Sequence, residues 1–172
     1  MKQSNIENAG QVLLWPFLQH YFAALDILRD GEFPDINASS KAAYLIEFLV
    51  HGTSEFQQHR WPLNQILCGL PSDCLLAEPV PVTQFESDLS DELLRAATER
   101  WAPMRNTSIA GLRESFLQRD GRLQRIDTGW LLTVDGGVYD MLLDQLPWSL
   151  SMIQLAWMTE ALYVSGDATD KT

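Results

Sequence analysis

Apolar residues recur every three or four positions along most of this chain, in runs that Pro and Gly keep cutting short. The longest run holds Val12, Leu13, Leu14, Phe17, Leu18, Tyr21, Phe22, Leu25 and Leu28, a broad stripe that only a helix can put on one face. Pro16 lies inside it. A proline is tolerated in a helix's first turn and kinks any later one, so it either opens the main helix or bends a longer one. A loop is predicted from Asp30 to Ser40, with Gly31, Pro34 and Asn37. Ser40 then caps a second helix, carrying Leu45, Ile46, Leu49 and Val50 and ended by Gly52. Pro62 suits the first turn of a third, whose Leu63, Ile66, Leu67 and Leu70 lead to Gly69 and Pro71.

The stretch 71–82 contains Pro71, Pro79 and Pro81 with few charges and reads as an extended connector. Beyond it Thr83-Gln84-Phe85-Glu86 has the form of a capping box. It opens a helix with Leu89, Leu93, Leu94, Ala97 and Trp101, closed by Pro103. Thr107 or Ser108 caps the next helix, which turns Leu112, Phe116 and Leu117 inward and stops at Gly121. Arg122 to Arg125 and Trp130 to Val134 flank Asp127-Thr128-Gly129, a β-hairpin signal in which Trp130, Leu132 and Val134 share a face. After Gly136-Gly137 a short helix with Val138, Met141, Leu142 and Leu146 runs to Pro147. A weakly alternating tail reaches Leu162-Tyr163-Val164, and 166–172 is polar and frayed. The fold class expected is therefore mainly α with a small β-hairpin, α+β, with a C-terminal half like a winged helix. The expected domain spans 5–165 as one globule in two packed halves, 5–72 and 83–165.

At 172 residues the chain can bury roughly 70% of its unfolded surface, enough for a core without metal or disulfide staples. Twelve Lys plus Arg against 23 Asp plus Glu leave a formal net charge of -11. That counts against general affinity for nucleic acid or anionic lipid, both of which need cations to neutralise phosphate. Cys68 and Cys74 match no zinc spacing and are expected to stay reduced. The polar stretch Met1 to Gly10 shows no secretory signal, and Pro16, His20 and Asp26 break the longest apolar run. A soluble, cytoplasmic protein with no membrane partner is expected.

Helix, turn, helix, hairpin is also the order of a DNA-binding winged helix, and Arg105, Arg113, Arg119, Arg122 and Arg125 make that stretch locally basic. The recognition helix would show only Arg113 and Arg119 as cations, so nucleic acid is a weak partner. Catalytic signals are poor. His20, His51 and His59 lack metal-ligand spacing, and no nucleophile elbow, P-loop or dinucleotide glycine pattern occurs. Asp140 and Asp144, four apart on one helix face, read as a solvated pair rather than an acid–base pair. No enzyme activity, metal or cofactor is expected. What stands out is an aromatic C-terminal third, with Trp130, Trp148, Trp157, Met141, Met152 and Met158. These side chains either complete the core or form a docking surface, since Trp and Met favour interface centres. The candidate partner-binding residues are Pro147, Trp148, Trp157 and Met158, with Arg113 and Arg119 as the next choice.

Four runs carry a resemblance. They are Asn8-Ala9-Gly10-Gln11-Val12-Leu13-Leu14 with Pro16-Phe17-Leu18, then 63–71 (LNQILCGLP), then Asn106-Thr107-Ser108 with 111–117 (GLRESFL), and finally 142–148 (LLDQLPW). In this order they resemble the C-terminal region of contractile injection system tape measure proteins, components of phage-tail-like particles of bacteria. The resemblance implies a structural protein that lies in the growing tube, sets its length and engages the assembly platform at one end. Ala156 stands before Trp157-Met158 where that family has a proline, and Ser165-Gly166 follows Tyr163-Val164 where it usually ends in Glu-Trp. A fully helical chain of this length would reach about 260 Å at 1.5 Å per residue, but the pattern is that of a globule. The expected role is a non-enzymatic docking module that binds tube, cap or baseplate proteins, either an anchoring end or a short relative. An adaptor or chaperone for a toxin or tube subunit is the alternative, ahead of a winged-helix nucleic-acid binder.

Overall fold

The computed structural model describes residues 3–53, 61–135 and 145–166. The described residues form five α-helices and a five-stranded sheet: α1 (Trp15–Ala24), α2 (Ile36–His51), α3 (Pro62–Leu67), α4 (Gln84–Arg100) and α5 (Ile109–Leu112). The strands are β1 (Gln3–Ile6), β2 (Gly121–Ile126), β3 (Gly129–Val134), β4 (Met152–Ile153) and β5 (Ala161–Gly166), in spatial order β1-β2-β3-β5-β4. All neighbours are antiparallel except β3 and β5. The α+β class is as expected, and so is the hairpin. The hairpin is not a free two-stranded wing, however: β1 pairs along one side of it and β5 along the other.

The apolar stripe from Val12 to Leu28 is not one helix. Its first part is a wholly buried 3-10 turn, Ala9–Leu14, and Pro16 then sits in the opening turn of α1. Asp26 and Asp30, both at positive φ, turn the chain after α1, a conformation Asp tolerates better than most residues. The second helix starts earlier than Ser40. Asp35 accepts from the Ala38 amide at 2.9 Å and is the true cap. Ser40 lies inside α2, 1% exposed, and its Oγ accepts from the Ala77 amide at 3.0 Å. Tyr44 donates its hydroxyl to the Ala77 carbonyl at 2.7 Å, so α2 holds the extended connector by both backbone groups of one residue.

The remaining helix signals behave as local chemistry requires. Gly52 ends α2 at φ 73°, Pro62 opens α3, and Thr83 with Glu86 forms the full capping box of α4. Ser108 accepts from the Gly111 amide at 3.0 Å. The helix that follows widens into a π turn over Arg113–Leu117. Gly121, expected to stop it, instead begins β2, where a β-carbon would lie 2.8 Å from Ala9 Cβ and 2.9 Å from the Thr133 carbonyl. The expected short helix beyond Gly137, with Asp140, Met141 and Asp144, and His59 as well, fall outside the described residues. One buried cluster joins Leu14, Phe22, Leu45 and Leu67 with Leu94, Trp101, Phe116, Leu132 and Leu162.

Candidate functional site

Three of the quoted runs, and the end of the fourth, meet around the 3-10 turn Ala9–Leu14. Asn8 donates its amide to Asn64 Oδ1 at 3.0 Å and to Glu47 Oε1 at 2.7 Å. Gln11 donates to the same Asn64 oxygen at 2.9 Å and to the Asn8 carbonyl at 3.0 Å. Asn64 in turn donates to the Ala43 carbonyl at 3.0 Å, which ties the turn to α2 and α3 through one carboxamide. Asn64 is 0% and Gln11 1% exposed. Buried amides of this kind hold only when bonded to one another, so they fix geometry as well as burial.

The third run meets the turn through backbone rather than side chain. A β-carbon on Gly10 would collide with the Phe116 carbonyl and lie 2.6 Å from Leu117 Cα, so the π turn and the 3-10 turn touch main chain to main chain. That contact requires glycine. Behind it Phe116 packs edge-on against Trp101 with ring centroids 4.8 Å apart.

The fourth run ends as a strap. Trp148 donates its indole N–H to the Leu13 carbonyl at 3.0 Å, and Trp15 donates its own to the Ser149 carbonyl at 2.8 Å. Phe17 meets Trp148 edge-on at 5.3 Å. Along 145–151 Leu146, Trp148 and Leu150 are half-buried, while Gln145, Pro147, Ser149 and Ser151 are exposed. The segment therefore alternates between gripping the body and facing solvent.

The family model for contractile injection system tape measure proteins matches residues 1–165. The chain belongs to that family. No curated protein and no solved structure matches it. For this tape measure protein the quoted runs are now legible as one scaffold, whose members bond to each other across the fold.

The candidate partner-binding residues are placed as follows. Pro147 is exposed. Trp157, half-buried, donates its indole to the Leu67 carbonyl at 2.7 Å and packs against Phe33 and Phe22 at 5.4 and 5.9 Å. It thus closes the C-terminal end of α3, whose last carbonyls lack partners within the helix. Met158 is buried, with its sulfur 3.3 Å from the Leu155 amide. Arg113 donates to the Leu49 and Phe48 carbonyls at 3.0 and 3.4 Å and so caps α2, where the helix dipole favours a cation. Burial lowers its pKa, and the Asp91 charge opposes that shift. Arg119 donates to the Ser115 and Asp135 carbonyls at 3.3 and 3.5 Å and lies over the Phe116 ring.

His20 is exposed, and His51 pairs with Glu47 at 3.0 Å. Among the described residues no group of His, Cys, Asp and Glu could hold a metal ion, and no helix is long and apolar enough to cross a membrane. Cys68 and Cys74 are free thiols, and burial pushes the Cys68 thiol well up. Asn8, Gln11 and Asn64 lie in the runs that carry the family resemblance, but their bonding to one another emerges only where segments more than 50 residues apart meet.

Proposed function

We propose that this chain is a non-enzymatic assembly module that docks onto tube, cap or baseplate proteins of a contractile injection particle. Membership of the tape measure family over residues 1–165 carries that reading. The contact surface proposed is the outward side of the C-terminal third, around Pro147. Trp148 and Trp157 serve there as positioning residues, because their indole N–H groups are spent on the Leu13 and Leu67 carbonyls. Arg113 and Arg119 act at the next-ranked surface by holding the π turn against α2 and the hairpin. The module works inside the assembled particle, as the family does.

The test is co-purification from cells that express the particle genes, with particle lengths read by electron microscopy. Pro147→Arg and Ser149→Arg alter exposed positions and should leave the melting midpoint in place while the protein drops out of the particle fraction. Trp148→Ala should lower the melting midpoint first, since it removes an internal hydrogen bond and an aromatic contact worth about 0.5–1.5 kcal/mol beyond burial. Unchanged incorporation and particle length for both arginine variants would remove this surface from the reading. Particles that assemble normally without the gene would remove the assembly role itself.

A further inference from the structure

Away from the strap, a groove of about 620 Å³ runs between α2 and the extended connector, and reaches the first turn of α4. Ile27, Ala38, Leu45, Val80 and Val82 give it apolar walls. On its wall Val80 is 63% exposed, and the two helices that border it each carry an exposed apolar residue in their first turn, Ile36 at 55% and Phe85 at 60%. An open apolar side chain on the wall of an apolar groove marks a candidate contact surface, and the volume falls in the range of about 300–1,000 Å³ typical of ligand pockets.

The charge around the groove selects among occupants. Lys41 is the one cation among its described lining residues, and it is already paired with the buried Glu86 carboxylate, which also accepts from the Thr83 amide at 2.9 Å. Glu78 is exposed on the opposite wall with no ion pair among the described residues, and Asp35 stands beside Ile36 at the head of α2. The unspent charge is therefore acidic. A second copy of a chain with net charge -11 is repelled by it.

We propose that this groove is a docking site for a basic amphipathic protein segment, whose apolar side chains enter between α2 and Val80 while flanking Lys or Arg residues meet Glu78 and Asp35. The site is separate from the surface around Pro147 and stands or falls independently of it. The 172-residue chain, labelled with ¹⁵N, is titrated with an amphipathic Leu/Lys peptide, with the same residues in scrambled order, and with the matching Leu/Glu peptide. The expected result is that only the first shifts the amides of Ala38, Lys41 and Val80, with affinity that falls as salt rises. Val80→Asp and Glu78→Lys, both at exposed positions, should each weaken it by at least about tenfold while the melting midpoint stays in place.

Equal binding of all three peptides, shifts centred elsewhere, or no binding would overturn the proposal. So would concentration-dependent self-association abolished by Val80→Asp, which would assign the groove to a second copy. A small apolar molecule retained by the native chain and lost in Val80→Asp would assign it to a ligand instead.

Discussion

Replacing Asn64 by Ala tests the scaffold at its most connected side chain. The carboxamide is fully buried, accepts from Asn8 and Gln11 at 3.0 and 2.9 Å, and donates to the Ala43 carbonyl and Glu47 Oε1 at 3.0 and 3.3 Å. After truncation each amide nitrogen keeps one bond, Asn8 to Glu47 at 2.7 Å and Gln11 to the Asn8 carbonyl at 3.0 Å, but the second N–H of each loses its acceptor. The three neutral bonds are worth about 1 kcal/mol each and the one to a charged group somewhat more, so the loss is at least about 4 kcal/mol in all. Urea unfolding followed by tryptophan fluorescence should show the midpoint fall by at least about 1 M at an unchanged slope of about 1–3 kcal/mol/M. Asn64→Asp keeps the acceptor oxygen but sets a second carboxylate against Glu47. The introduced carboxyl's folded-state pKa is thereby raised above about 3.9. Its penalty is therefore full at neutral pH and relieved as pH falls through that raised value. A loss below about 1 kcal/mol for Asn64→Ala, or an Asn64→Asp variant no less stable at neutral than at acid pH, refutes the network as a source of stability.

Gly10→Ala should cost at least about 2 kcal/mol, since the added methyl meets the backbone of the π turn and no rotamer can relieve it. Gly31→Ala is the control: its φ of 78° is strained, but the nearest atom is 3.9 Å away, so only the left-handed penalty of about 1–2 kcal/mol applies. A disulfide reagent should label Cys74 quickly in the native protein and Cys68 only in denaturant, because the Cys68 side chain is 1% exposed and its thiolate is disfavoured by burial. Two equally fast thiols would contradict that placement.

What could be read from the sequence divides by distance along the chain. Pro62, Gly52, the Thr83–Glu86 box, Ser108 and the hairpin turn act on neighbours within a few residues, and each did what its chemistry dictates. Ser40 and Asp35 are both good caps, and nothing local ranks them. The choice is made by the Ala77 amide, 37 residues away. Strand β1 pairs Gln3 with Gln124 and Ile6 with Gly121. Ile6 is the one apolar residue of its four, so its sequence shows no apolar alternation to detect. The aromatic richness of the C-terminal third was plain, but whether Trp148 and Trp157 face in or out depends on two distant carbonyls, those of Leu13 and Leu67. The groove was invisible for the same reason, since its walls come from α2 and from a connector that has no periodicity of its own.

The sheet order also bears on the order of synthesis. Its central hairpin, β2 and β3, is bordered by β1 from the first residues of the chain and by β5 from the last described ones. Pairings of such long sequence separation form late, because chain closure must precede any gain from contact. On a ribosome the hairpin therefore emerges with one partner waiting and the other not yet made. Until residue 166 is released, β3 presents an open edge, and such edges recruit other strands. A chain that stops short of β5 should aggregate through β3 even with every helix intact.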